Sequence, residues 1–246
     1  MTTVEYQGAG AGRTAAVTSA VWSALGTVRD PELDEPLTDL GFVSRAEVNP
    51  AGRAVVRLRL PTYFCAPNFA FLMVADAYDA VSAVAGVTET DVALDDHFAA
   101  AAINRGVAAR AGFVASFEGE AVDELDALRA DFVRKAVLAG TDRVCRALLA
   151  NGVERERLPG LTLGDAPEGA DRERLRARRR ELSLPADDGD PLLVDPVTGA
   201  AVRPEQLARH LGLARLTRTS QEANSGVCRG MLHARYPHID TREGEG

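Results

Sequence analysis

Cys65 stands in PTYFCAPN, three positions after Thr62, where an alternating stretch gives way to a helical one. A sulfur at such a junction lies near unpaired backbone N–H groups and the positive end of a helix dipole, a place that favours the ionised form. The ionised sulfur is the nucleophile and the soft-metal ligand. His97 follows Asp95 and Asp96 and can supply an imidazole, while the carboxylates can orient it or bind a harder ion such as iron. The same histidine could instead cap a strand end or the next helix. Asp30, Glu32 and Asp39 also have turn-forming roles open to them. Cys228 lies in NSGVCRGMLH between small residues, with His233 and His238 beyond it, at a spacing that matches no zinc signature. If the C-terminal segment folds back, Cys65, Cys228 and His97 could share one site, since thiolates with imidazole suit iron or zinc. Cys145, at helical spacing with Leu138, Thr141 and Leu149, reads as core.

These residues meet only if the elements between them bring them to one edge. Thr14 to Thr27 places Val17, Val21, Ala24 and Leu25 at helical spacing, and DPELDEP ends that helix in a turn. LGFVSRAEV at 40 to 48 alternates as a strand, Asn49-Pro50-Ala51-Gly52 turns the chain, and AVVRLRL at 54 to 60 sets Val56, Leu58 and Leu60 on one face. Ala66 to Val84 reads as a helix and Val87 to Leu94 as a third strand. The order is α-β-β-α-β, an α/β arrangement on a small mixed three-stranded sheet in which the last two strands are parallel and joined by a crossover helix. The loops carrying Asp30 to Asp39, Thr62 to Cys65 and Asp95 to His97 then converge at one sheet edge.

Beyond this domain, placed at residues 14 to 120, a mainly helical extension covers 121 to 240, between a disordered N-terminus of 13 residues and a frayed tail from Thr241. Asp123 to Asn151 is helical with two apolar stripes, or with a break near Gly140. NGVERERLPGLTLGDAPEG reads as a loop, the arginine run at 172 to 180, interleaved with acids, as a solvated helix face, PADDGDPLLVDPVTGAAV as a turn-rich or short-strand region, Pro204 to Leu216 as a short helix, and the end, TSQEANSGVCRGMLHARYPHID, as mixed small and polar residues.

The 246 residues, 46% of them hydrophobic, suffice for a core, and the net charge of −8 disfavours nucleic acid as a partner. Three widely spaced cysteines argue against a disulfide framework. No apolar run reaches membrane-spanning length and the N-terminus lacks the features of a secretory signal, so a cytoplasmic location is expected. There is no Gly-rich phosphate loop, nucleophile elbow or CxxC pair.

DPEL at 30 to 33, DLGFV at 39 to 43, Thr62-x-x-Cys65 after an alternating strand, and a helix followed by VAGVTETDVAL resemble, in this order, the iron-sulfur cluster assembly domain. That domain is shared by bacterial assembly factors, a eukaryotic cytosolic targeting complex and an accessory protein of phenylacetyl-CoA oxygenase. The resemblance implies a maturation factor, not an enzyme. It would hold iron or an iron-sulfur cluster transiently at Cys65, with Thr62 and Asp39 in the cofactor-binding motifs; His97, Asp96 and Cys228, the last outside the stretch of resemblance, are further candidate metal ligands on residue type alone. The implied partner is a client apo-metalloenzyme such as a diiron monooxygenase component, with a homodimer as a further option. Tyr63-Phe64 and Ala66-Pro67 stand where family members commonly carry Pro-Gly before the cysteine and Gly or Pro after it. This bulkier, more apolar loop suits docking onto a particular client. A metal-free adaptor or folding chaperone is the alternative, and a cysteine-dependent enzyme with His97 as base ranks last.

Overall fold

The computed structural model describes residues 5–119, 121 and 123–237; His238 and the tail from Thr241 lie outside them, as do residues 1–4 of the expected disordered N-terminus. The first helix, α1 (Glu5–Leu25), begins well before Thr14. Two units follow from the pattern of contacts, one of residues 1–125 with 225–246 and one of 126–224.

In the first unit, β1 (Val43–Val48), β2 (Arg53–Leu58), α2 (Pro67–Ser82) and β3 (Glu89–Leu94) follow α1. The sheet has the order β1-β2-β3, antiparallel between β1 and β2 and parallel between β2 and β3, as the crossover requires. Alternation decides which face is buried. Ala54, Val56, Leu58 and Leu60 point into the core with Val92 and Leu94, and Val21 and Leu25 of α1 close over them. Each such leucine or valine contributes roughly 1.5–3 kcal/mol of burial. On the other face Arg57 pairs with Asp91 at 3.0 Å across the parallel strands. The hairpin turn works because Asn49 accepts from the amides of Ala51 and Arg53 through its side chain, while Gly52 takes φ +86°, where a Cβ would lie 2.7 Å from the Gly86 carbonyl.

Two short helices, α3 (Ala100–Ala108) and α4 (Phe113–Ser116), fill a stretch in which the sequence showed no element. α3 is alanine-rich and buries only Ile103, Gly106 and Val107, too narrow a stripe to stand out.

The second unit holds α5 (Asp126–Ala150), α6 (Ala170–Glu181) and the first part of α7 (Leu207–Arg235). α5 runs through Gly140 without a break, and Leu175 of α6 packs there, 3.4 Å from where a Cβ would be. The arginine run is not simply a solvated face. Arg179 is fully buried and donates to the carbonyls of Pro185 and Pro191, at 3.4 and 3.0 Å, and of Leu192. Arg172 reaches the Ala166 carbonyl at 3.1 Å and Asp188 at 2.7 Å. These cations replace the missing ladder partners of an irregular loop, and so they must be inside.

α7 is much longer than the expected helix ending at Leu216. Its buried positions include Ala214, Arg218, Gln221, Ser225 and Leu232, a helical stripe made mostly of polar and small residues. Hydrophobic periodicity cannot register such a face. From Ser225 onward α7 belongs to the first unit.

Candidate functional site

The three loops expected to converge do so. The Asp95 amide donates to the Leu58 carbonyl at 2.8 Å, and the Phe98 amide to the Tyr63 carbonyl at 3.2 Å, joining the ends of β2 and β3. The Arg59 amide donates to the Phe42 carbonyl at 2.8 Å and brings in the start of β1.

Cys65 is half-buried, immediately ahead of Ala66, the cap residue of α2, which offers no side-chain acceptor. Thr62 Oγ1 lies 3.3 Å from Cys65 Sγ and accepts the Phe64 amide at 3.2 Å. The hydroxyl keeps its proton and a second lone pair, so either it or the thiol can donate across this contact. The motif Thr62-x-x-Cys65 thus builds a turn and places a hydroxyl on the thiol together.

His97 is brought to Cys65, but through the backbone. Its Nε2 lies 2.7 Å from the Cys65 carbonyl, and its Nδ1 lies 3.2 Å from the Ala99 amide. A carbonyl only accepts and an amide only donates, so the ring is the neutral tautomer with the proton on Nε2. Burial lowers its pKa from the usual range, and Arg235 adds to this, against the opposing effect of the bond to Cys65. Both nitrogens are therefore spent on positioning the loop.

Asp96 sits at φ +52° and is held by the end of α7. Arg235 donates to its carbonyl and pairs with its carboxylate, both at 2.6 Å, and Tyr236 Oη donates to the same carboxylate at 2.9 Å. Arg235 also reaches the Leu60 carbonyl at 3.1 Å, so one side chain ties the ends of β2 and β3 together.

Asp30 is a turn-former. Its carboxylate caps the amides of Glu32 and Leu33 at 2.9 and 2.8 Å, and burial pushes its pKa up to about 6 against those bonds. Asp39 is exposed; its carboxylate accepts from Thr38 at 3.2 Å and its carbonyl from Arg229, which also pairs with Glu35. No hydrogen bond among the described residues joins Asp39 to Cys65.

Cys228 is half-buried and packs, like Cys65, against the core of the first unit. It lies on the face of α7 that carries buried Ser225 and Leu232, flanked by Arg229 and Arg235 with their anchors on the Asp39 and Leu60 carbonyls. Burial pushes its thiol up to about 11, and the negative charges of Asp30, Cys65, Glu32 and Glu35 add to the shift. Cys145, by contrast, is sealed in the second unit with its thiol pushed up to about 12 by burial and, next, Asp142. Among the described residues, no three His, Cys, Asp or Glu side chains converge as a set able to hold a metal ion.

Residues 18–94 match the family model of the iron-sulfur cluster assembly protein. This assembly domain coincides with the stretch in which DPEL, DLGFV and Thr62-x-x-Cys65 carry the resemblance, and it supports a general role in iron-sulfur assembly or maturation. The family is an assembly and accessory family, not typically a catalytic one. No curated protein and no solved structure gave a significant match. Among the described residues, no helix is long and apolar enough to cross a membrane.

Sequence reasoning missed the residues that return to the assembly domain from beyond it: Arg229, Arg235 and Tyr236. Their signal was the spacing of 225, 228, 229, 232 and 235, a helical stripe visible only if polar side chains count as inward-facing.

Proposed function

We propose that the chain is a cytoplasmic maturation factor that takes up iron or an iron-sulfur unit at Cys65 and Cys228 and passes it to a client apo-metalloenzyme. What supports this reading is that α7 from Ser225 onward belongs to the first unit, and that Cys228 and Cys65 are both half-buried against its core. A bound cation favours both thiolates, so uptake releases protons and strengthens with pH. Thr62 offers a hydrogen bond to the Cys65 sulfur, and His97 and Arg235 fix the loops. Two protein sulfurs leave the coordination of a bound unit incomplete, and lability is what transfer requires. The client class to which the resemblance points is a component of a multicomponent diiron monooxygenase. Iron and acid-labile sulfide should be measured in anaerobically purified wild-type chain and in Cys228→Ala. Iron in the first, reduced in the second, is expected; equal metal content in both would reject Cys228 as a ligand.

The exposed aromatic residues Tyr63 and Phe64 beside Cys65 favour a second reading, a metal-free adaptor in which Cys65 is structural. Client activation by Cys65→Ser separates the two. Activation equal to wild type supports the adaptor.

A further inference from the structure

The residues immediately before Cys65 are exposed aromatics, which is an unusual use of apolar surface. Phe64 is 76% exposed, Phe98 49% and Tyr63 45%. Their rings form one cluster, with centroids 5.0 Å apart for Tyr63 and Phe64, 5.9 Å for Phe64 and Phe98, and 6.4 Å for Tyr63 and Phe98. The cluster is held in place. The Phe98 amide bonds the Tyr63 carbonyl, and the Phe98 ring packs on His97 at 4.9 Å, the same imidazole that holds the Cys65 carbonyl. At side-chain areas of 150–250 Å² per aromatic, roughly 300 Å² of ring surface stays in water. The largest apolar patch on a typical monomer is about 300–600 Å² and is often functional.

What covers it follows from transfer chemistry. An acceptor that takes a metal unit from Cys65 must bring its own ligands within a few ångströms of that sulfur, and so must lie over the residues one and two positions ahead. The charge nearby selects further. Asp95, in the Phe98 loop, is exposed and has no ion pair among the described residues, and Asp96 beside it is exposed as well. A second copy of this chain would bring the same acidic face and be repelled.

Resting on the reading of Cys65 as the cargo thiol, we propose that Tyr63, Phe64 and Phe98 are the docking anchor for the client, which receives them in an apolar cleft bordered by lysine or arginine. Rigid aromatic anchors of this kind carry most of the affinity in protein interfaces.

The test places the photo-crosslinker p-benzoyl-phenylalanine at position 64 of the full chain in its native cells, with the same probe at Val197, 68% exposed, as control. The expected result is one heterologous partner from position 64, identified by mass spectrometry as an iron- or cluster-dependent protein, and absent from position 197. Its yield should fall about tenfold with Asp95→Lys. A paired Phe64→Ser/Phe98→Ser variant should keep its melting temperature and iron content and lose transfer to the captured partner by about tenfold or more. Crosslinking to a second copy, to a protein with no iron requirement, to nothing, or without response to Asp95→Lys overturns the proposal. Iron content in the same wild-type preparation tells the failures apart: iron without a partner defeats the docking anchor, whereas a partner without iron defeats the cargo reading of Cys65.

Discussion

The two units use buried polar groups in opposite ways. In the second, Arg179 is wholly enclosed and spends its donors on backbone carbonyls, Arg218 pairs with Asp142 at 2.5 Å with both side chains nearly covered, and Cys145 is sealed. In the first, Cys65 and Cys228 are half-exposed, and the neighbouring groups position or charge them without covering them. The contrast teaches that a cysteine's chemistry follows from which polar groups surround it and whether water reaches it. Groups paired with backbone carbonyls and carboxylates inside build the fold; groups at a rim that water reaches remain open to a ligand.

The largest effect that would break this contrast is in the second unit. Arg179→Ala leaves three carbonyls without their donor, and we expect it to destabilise the chain by about 3–5 kcal/mol in urea unfolding. A loss under about 1 kcal/mol would mean that water reaches that loop. Next comes thiol accessibility. Iodoacetamide should label Cys65 in the native chain at least about a hundredfold faster than Cys145, because the latter reacts only when the unit opens. Equal rates would erase the distinction between the two regions.

Asp30 gives a smaller, pH-dependent effect. Its folded pKa of about 6 lies above the ordinary carboxylate value of 3.8, so its favourable contribution is present in full below about pH 4 and is lost as pH rises through 6. Asp30→Asn keeps the acceptor for the Glu32 and Leu33 amides, and should stabilise the chain at pH 7 by about 1–3 kcal/mol. That gain should vanish near pH 4; a gain independent of pH would show that ionisation is not its source. His97 gives the smallest effect, of opposite sign. Its pKa is lowered below 6.5, so its contribution is present above that value and is lost as pH falls through it toward the folded pKa. The stability advantage of wild type over His97→Gln should shrink as pH falls from 7 to 5, as read by unfolding of both proteins, the Asp30 effect being common to the two.

Much of the assembly domain was legible because its strands alternate and its breaks carry Pro, Gly and Asn, so that Val56, Leu58 and Leu60 announce their face. The convergence of loops followed from topology alone. The roles of His97 and Asp96 did not, because residue type tells which atoms can bind and not which partners have already taken them. The Cys65 carbonyl and the Ala99 amide occupy His97, and Arg235 and Tyr236 occupy the Asp96 carboxylate. The part of α7 that belongs to the first unit stayed hidden because Gly226 and Gly230 weaken its helical signal, and because its buried stripe opens on a polar residue, Ser225.

Iron X-ray absorption on anaerobically reconstituted chain addresses the shared thiol site most directly. Wild type loaded with ferrous iron, without sulfide, should show two sulfur scatterers at thiolate distance, falling to one in Cys228→Ser and one in Cys65→Ser, with Cys145→Ser like wild type. An iron spectrum unchanged by either of the first two substitutions would contradict joint binding by Cys65 and Cys228.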